Sequence, residues 1–407
     1  MLNAKTKEIV KNTAPVLKEN SHQIGKRFYE LLFLSAPELM NIFNQTNQKK
    51  GIQQEALGYV VYAAGEHINN LEVLTPVIRR INEKHRAIGI RADQYPIVGE
   101  TLLQAVRDVL EDAATPEILD AWGQAYGYIA NLFIQMEKEL YEETEKQAGG
   151  WSDYRRFIVD KKEEETKEIT SFYLKPEDGK AITTSYKAGQ YLTLKADIPG
   201  EPYTHIRHYS LSEAPGKDYY RISVKREDAA SNDPEGIVSH YLHDHIQKGD
   251  KLLFSAPAGD FVLSTDEFPV VLISGGIGIT PLLSMLNDIV ERQPQREVRF
   301  IHATKNGQTH AFKTHLTEIV QSNKNVNCFV CYTSPTQEDK VSHQFDKEGY
   351  IDLNVLSSIK PVEPAQYYLY GSPPFMEDII KKLSKLNVPK ENIHYESFSP
   401  IAMLDEE

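Results

Sequence analysis

The chain has 407 residues, 41% hydrophobic and 25% charged, which is globular composition at a length that suggests about two or three domains and excludes disorder as the dominant state. Lys and Arg number 45 against 58 Asp and Glu, and the net charge of −13 argues against nucleic acid or an anionic membrane as partner. Two cysteines give no disulfide framework, no apolar run approaches the ~18 residues of a membrane span, and the start Met-Leu-Asn-Ala-Lys-Thr-Lys-Glu lacks signal-peptide order. A soluble cytoplasmic protein is expected, with no transmembrane segment and no obligatory protein partner evident.

Residues 1–147 read as successive helices. Ile118, Trp122, Tyr126, Ile129, Phe133, Met136 and Leu140 recur at three- and four-residue steps, one stripe of a long amphipathic helix. Leu102, Leu103, Val106, Val109 and Leu110 form a second, and prolines 15, 37, 76, 96 and 116 punctuate the region. Ala148-Gly149-Gly150-Trp151 breaks the pattern and reads as a linker over 148–151.

From 152 to 265 short β-rich runs follow one another: Phe157–Val159, Thr170–Leu174, Tyr191–Leu194, Tyr220–Val224 and Lys251–Phe254. Turn-forming residues separate them, as in an antiparallel barrel or sandwich. The charge run Lys161-Lys162-Glu163-Glu164-Glu165 reads as a solvated turn. From 266 to 407 wholly apolar runs, Val270–Ile273 first, alternate with helical stretches such as Pro281–Val290, the signature of a doubly wound parallel sheet.

Two motifs carry chemistry. Ser274-Gly275-Gly276-Ile277-Gly278-Ile279-Thr280-Pro281 joins a strand to a helix, where glycines let backbone approach a pyrophosphate and the helix start offers amides. The usual dinucleotide fingerprint has glycine where Pro281 stands. Arg207-His208-Tyr209-Ser210 combines a guanidinium suited to pyrophosphate, a ring that can lie on a flat heterocycle and a hydroxyl for a ring nitrogen. By itself each also fits a plain turn or strand.

Their order, Arg-x-Tyr-Ser in a β region followed some 65 residues later by Gly-Gly-x-Gly-x-Thr-Pro, resembles the ferredoxin–NADP reductase family. The resemblance covers about 152–407 and implies an FAD-binding barrel followed by an NADH- or NADPH-binding α/β domain. It assigns Tyr191, Arg207, Tyr209, Ser210, Val238 and Ser239 to FAD, and Gly275, Gly276, Gly278, Thr280 and Pro281 to the nicotinamide dinucleotide. His394-Tyr395-Glu396-Ser397-Phe398 resembles the closing segment, with Glu396 beside the cofactor and Phe398 covering the flavin. In Tyr370-Gly371-Ser372 the family's Cys-Gly-Pro is altered; a tyrosine is bulkier beside the hydride path and implies slower transfer or altered nicotinamide fit.

His22, His67 and His85 alone do not distinguish the helical region from a plain bundle. Asn44–Gln48, Lys84-His85, Tyr95–Glu100 and Ala121–Gly127, however, resemble the globin domain of bacterial flavohaemoglobins, and the whole chain follows that family's order of all-α globin, flavin barrel and α/β nicotinamide domain. The resemblance implies haem b with His85 as the iron ligand, Tyr95 and Glu137 behind it, Tyr29 and Gln53 on the opposite side, Phe43 wedging the macrocycle, Leu57 crowding the ligand side and Lys84 contacting cofactor. It further implies nitric oxide dioxygenation: electrons pass from NAD(P)H through FAD to the haem, and ferrous haem with O2 converts nitric oxide to nitrate.

Two other readings stay open at this stage, an O2 or nitric oxide sensor or carrier and a general NAD(P)H flavin reductase. Cys328 and Cys331 are expected in the core, because residues three apart on a strand face opposite ways. His240, His243 and His245 are expected as solvent-exposed helix residues rather than a zinc site.

Overall fold

The computed structural model describes residues 2–43, 52–183, 185–229, 234–361 and 364–396. Phe398 and the Asn44–Gln48 segment lie outside them.

The amino-terminal part is helical, as its periodicity requires: α1 (Ala4–Glu19), α2 (Ser21–Ser35), α3 (Ile52–Glu66), α4 (Thr75–Ile88), α5 (Tyr95–Leu110) and α6 (Pro116–Lys146). Local chemistry sets several ends. Asn3 caps α1 by accepting from the Thr6 amide, and Thr115 caps α6, whose first turn opens on Pro116. The α6 stripe is buried at Trp122, Phe133 and Leu140, and Trp122 joins Val10, Leu17, Phe28, Leu32, Leu102 and Val106 around one core.

Six antiparallel strands follow in the order β4-β3-β6-β1-β2-β5: β1 (Tyr154–Glu164), β2 (Ile169–Pro176), β3 (Tyr191–Ala196), β4 (His205–Ser210), β5 (Tyr220–Lys225) and β6 (Lys251–Ser255). A bridge between Leu211 and Ile222 brings the first and last strands together, so the sheet curls on itself around Phe157, Phe172, Leu174, Tyr220 and Phe254.

The charge run is not a turn. Lys161 to Glu164 continue β1 and pair with β2 from Tyr173 to Thr170. Two of the charges have partners that the strand supplies: Glu163 accepts from the Tyr173 hydroxyl at 3.0 Å, and Lys162 Nζ donates to the carbonyls of His243 (2.6 Å) and Ile246 (2.8 Å) at the end of α7 (Ile237–Asp244). The histidines of α7 also depart from expectation. His243 is half-buried, its ring bonded to the Val224 carbonyl at 2.9 Å, because α7 packs on β5. Among the described residues no group of three or more His, Cys, Asp or Glu is placed to hold a metal.

The last part is an all-parallel sheet in the order β10-β9-β8-β7-β11-β12: β7 (Val270–Gly275), β8 (Val298–Thr304), β9 (Val326–Tyr332), β10 (Lys347–Glu348), β11 (Gln366–Tyr370) and β12 (Ile393–Tyr395). Val270 and Leu272 of β7 (Val270–Gly275) face one apolar layer with Leu282, Leu286 and Phe300, while Val271 and Ile273 face the other with Ile301, Leu369 and Leu383. Burial on both sides is why this strand has no polar alternation. Cys328 and Cys331 lie on β9 (Val326–Tyr332) as expected, and burial pushes their thiols up to about 12 and about 11. No helix among the described residues is long and apolar enough to cross a membrane.

Candidate functional site

In the helical part, α2, α3, α4 and α5 enclose a cavity of about 420 Å³. Tyr29, Phe43, Gln53, Leu57, Lys84, His85 and Tyr95 all line it, with aliphatic side chains such as Leu102, Val106 and Ile129 completing the walls. Close helix packing creates this convergence. A Cβ on Gly25 of α2 would lie 2.5 Å from the Gln54 carbonyl oxygen of α3, so only glycine permits the crossing. Tyr29 stands one turn beyond Gly25, and Gln53 precedes Gln54. Gly25→Ala is expected to force the helices apart, costing about 1–3 kcal/mol, with a lower thermal midpoint and reduced haem content as the readouts.

Behind His85 lies a buried carboxylate. Glu137, 3% exposed on α6, accepts from His85 Nδ1 at 2.7 Å and from the Tyr95 hydroxyl at 2.5 Å, both on Oε1. That arrangement consumes Nδ1–H and leaves Nε2 as the nitrogen for a metal. Burial, then the Glu137 charge, raises the Tyr95 phenol well above its usual pKa, so it stays a neutral donor. Tyr126 fixes the start of α5 by donating to the Tyr95 carbonyl at 2.6 Å. An apolar cavity with one carboxylate-backed imidazole fits a flat macrocycle holding iron: His85 would supply one neutral nitrogen ligand and the walls an apolar seat.

In the barrel, β3 pairs with β4 so that Tyr191 lies opposite Ser210 and Leu194 opposite Arg207. Strand alternation then puts Tyr191, His208 and Ser210 on one face and Arg207 and Tyr209 on the other. The Tyr191 ring is 4% exposed and its buried hydroxyl has no hydrogen-bond partner among the described residues, an orphaned polar atom that suits a site built around a polar ligand. His208 was missed as a site residue, although it sits inside the Arg-x-Tyr-Ser motif; its ring packs 4.7 Å from Tyr191 and its Nδ1 shares a hydrogen bond with Thr193 at 2.8 Å. Val238 and Ser239 form the first turn of α7, where the Ser239 hydroxyl donates to the Gly236 carbonyl and accepts from the Glu227 amide.

The glycine loop links β7 to α8 (Ile279–Arg292) through a 3₁₀ turn at Gly276–Gly278. Gly276 has φ +56° with open space where a side chain would stand, leaving room for a phosphate. Thr280 and Pro281 are buried in the first turn of α8, and the Thr280 hydroxyl donates to Ile277. The helix extends beyond the expected Pro281–Val290 at both ends.

The three parts meet at α4. Ala87, two residues after His85, packs against Tyr191 and Ala258 of the barrel. Arg86 donates to the Pro257 carbonyl at 2.8 Å, Arg80 pairs with Asp260 at 3.0 Å, and the Tyr154 hydroxyl donates to the Ala87 carbonyl. Burial lowers the Lys84 pKa, opposed chiefly by Glu396 from the α/β part and Asp260 from the barrel; burial raises Glu396, opposed chiefly by Lys84. Arg80, Arg86 and Asp260 had no sequence signal, since a docking contact leaves no periodicity.

Residues 26–132 match the globin family model, 156–263 the oxidoreductase FAD-binding domain and 272–382 the oxidoreductase NAD-binding domain. Globin pocket, flavin barrel and nicotinamide sheet in one chain define an NAD(P)H-dependent haem–flavin oxidoreductase. The Flavohemoprotein of Bacillus thuringiensis subsp. konkukian is 52% identical over 405 residues, 99% of this chain and 100% of that relative. A solved flavohemoglobin from Malassezia yamatoensis, with bound FAD and heme, superimposes with TM-score 0.82 at 27% identity over 97% of this chain and 99% of its own. The FAD/NAD-binding domain of a nitric oxide dioxygenase from Vibrio cholerae matches 60% of this chain and 98% of its own at 36% identity and TM-score 0.54. The chain belongs to the flavohaemoprotein family.

Proposed function

We propose that this flavohaemoprotein is a cytoplasmic nitric oxide dioxygenase: two nitric oxide, two O2 and one NAD(P)H give two nitrate, NAD(P)+ and a proton. The observation that carries the reading is the docking of α4, the His85 helix, directly on the strand that bears Tyr191. When bound, FAD takes up a hydride and releases single electrons, and haem b receives them one at a time to combine O2 with nitric oxide.

The chain's residues divide the work. His85 would hold iron through Nε2, while Glu137 and Tyr95 fix the ring from the Nδ1 side and make it a stronger donor. Tyr29 and Gln53 offer polar groups to the gas-binding side, Leu57 narrows it, and Phe43 wedges the macrocycle beside Tyr29, their rings 5.4 Å apart. Tyr191, Arg207, Tyr209, Ser210, Val238, Ser239, Glu396 and Phe398 hold FAD, with Lys84 at the junction. Gly275, Gly276, Gly278, Thr280 and Pro281 seat the nicotinamide dinucleotide. The working units are 1–147, 152–265 and 266–407, with 148–151 between them.

Absorbance spectra of the purified protein with NADH, first anaerobic and then aerobic, test the reading. A haem Soret band beside flavin absorbance is expected, with NADH reducing the iron. Nitric oxide added in air then disappears in step with NADH and yields nitrate. Flavin reduction without iron reduction favours the general reductase, and iron reduction without nitrate favours a carrier.

A further inference from the structure

Tyr370 ends β11 (Gln366–Tyr370), in register beside Ser274 of β7. It replaces the cysteine of the resembled family. The phenol is 7% exposed, and its ring lies 5.4 Å from that of Phe261. Its hydroxyl donates to Glu396 Oε2 at 3.4 Å and stands beside the Ser210 side chain. Its carbonyl abuts the glycine loop, where a Cβ on Gly278 would lie 2.2 Å from the Tyr370 oxygen. One residue thus ties the flavin strand β4, the segment after β12 (Ile393–Tyr395) and the nicotinamide loop. A cysteine is too short to do so.

We propose that Tyr370 is a positioning residue that holds the cleft between β4 and the glycine loop closed, and that a nicotinamide ring enters only when the phenol leaves Ser210 and Glu396. The inference rests on the hydride step of the proposed function. Hydride transfer needs the two reacting rings in near contact, at roughly 3–3.5 Å. The segments assigned to flavin and to nicotinamide face each other here, and a six-membered ring of nicotinamide size already bridges them. Opening breaks the hydrogen bond to Glu396 and parts the phenol from Ser210, and the apparent affinity for nicotinamide falls by the fraction of molecules that are open. One hydrogen bond to a carboxylate corresponds to about a tenfold preference for the closed form.

The test uses the full-length protein loaded with FAD and haem. NAD+ is titrated and read by long-wavelength charge-transfer absorbance and flavin fluorescence; flavin reduction by NADH is then followed anaerobically by stopped flow. Tyr370→Phe keeps the buried ring but frees Ser210 and Glu396, and Tyr370→Ala clears the ring. The NAD+ dissociation constant is expected to fall about fivefold in Tyr370→Phe and up to about tenfold in Tyr370→Ala, with stronger charge-transfer absorbance and faster flavin reduction. Unchanged NAD+ affinity in Tyr370→Phe, with flavin retained, overturns the proposal even if Tyr370→Ala does not fold. Weaker NAD+ binding with slower reduction also overturns it, making the phenol a support for nicotinamide. If NADH reduces flavin in neither the wild type nor the variants, the hydride step itself fails and the inference goes with it.

Discussion

Glu137→Leu is expected to destabilise the helical part by about 2–5 kcal/mol and to weaken haem binding or turnover by about 10–100-fold. The reason is how much rests on one oxygen. Glu137 Oε1 accepts from both His85 Nδ1 and the Tyr95 hydroxyl, and with the side chain 3% exposed no water can replace it. Leucine is similar in size, so the loss is two stranded donors rather than a cavity, each costing about 1–3 kcal/mol. The imidazole also loses the anion that fixes its tautomer and strengthens its donation. Glu137→Gln keeps an acceptor and the shape but not the charge, and should fall between the two. Haem titration and thermal unfolding followed at the Soret band measure both effects; wild-type haem affinity in Glu137→Leu would remove Glu137 from the proximal role.

Much of this arrangement was legible in the sequence where one element carries the whole signal. The stripe from Ile118 to Leu140 gave α6, the apolar Val270–Ile273 run gave a doubly covered strand, and the glycine loop marked its own site. What escaped depends on partners distant in the chain. Lys161 to Glu164 read as a turn because strand charges are stabilised by β2 and by the α7 carbonyls, neither of which is local. His243 read as exposed because the strand it packs against comes earlier in the chain. The need for glycine at 25 arises only where α3 crosses α2. The roles of Glu137 and Tyr95 came from family resemblance alone, since 52 residues separate Glu137 from His85 and nothing in either helix's own pattern joins them.

Below pH 6.5 the α/β part is expected to lose stability steeply, because it buries two imidazoles it cannot charge. His302 on β8 (Val298–Thr304) and His310 are 1% and 5% exposed, with ring centroids 4.8 Å apart. His302 Nδ1 pairs with the Ser274 hydroxyl at 2.8 Å and His310 Nδ1 with the Tyr332 hydroxyl at 2.9 Å, while His310 Nε2 has no partner among the described residues. Burial first, then the Lys313 charge, pulls His310 down to about 4, and burial holds His302 well below its ordinary value. The unfolded chain takes up these protons near pH 6.5, whereas the folded chain does not. Stability is therefore complete above that pH and falls as pH drops towards the folded values, by up to about 1.4 kcal/mol per unit for each imidazole. For His310 alone this reaches about 3 kcal/mol by pH 4, a large share of a typical domain's 5–15 kcal/mol. Ser274 leads directly into Gly275, so nicotinamide binding should weaken over the same range. Denaturant unfolding across pH 4–7.5, compared between wild type and a His302→Asn/His310→Asn pair, isolates these groups because every other titrating residue is common to both. A flatter pH dependence in the double variant is expected; the same slope in both proteins would place the acid sensitivity elsewhere.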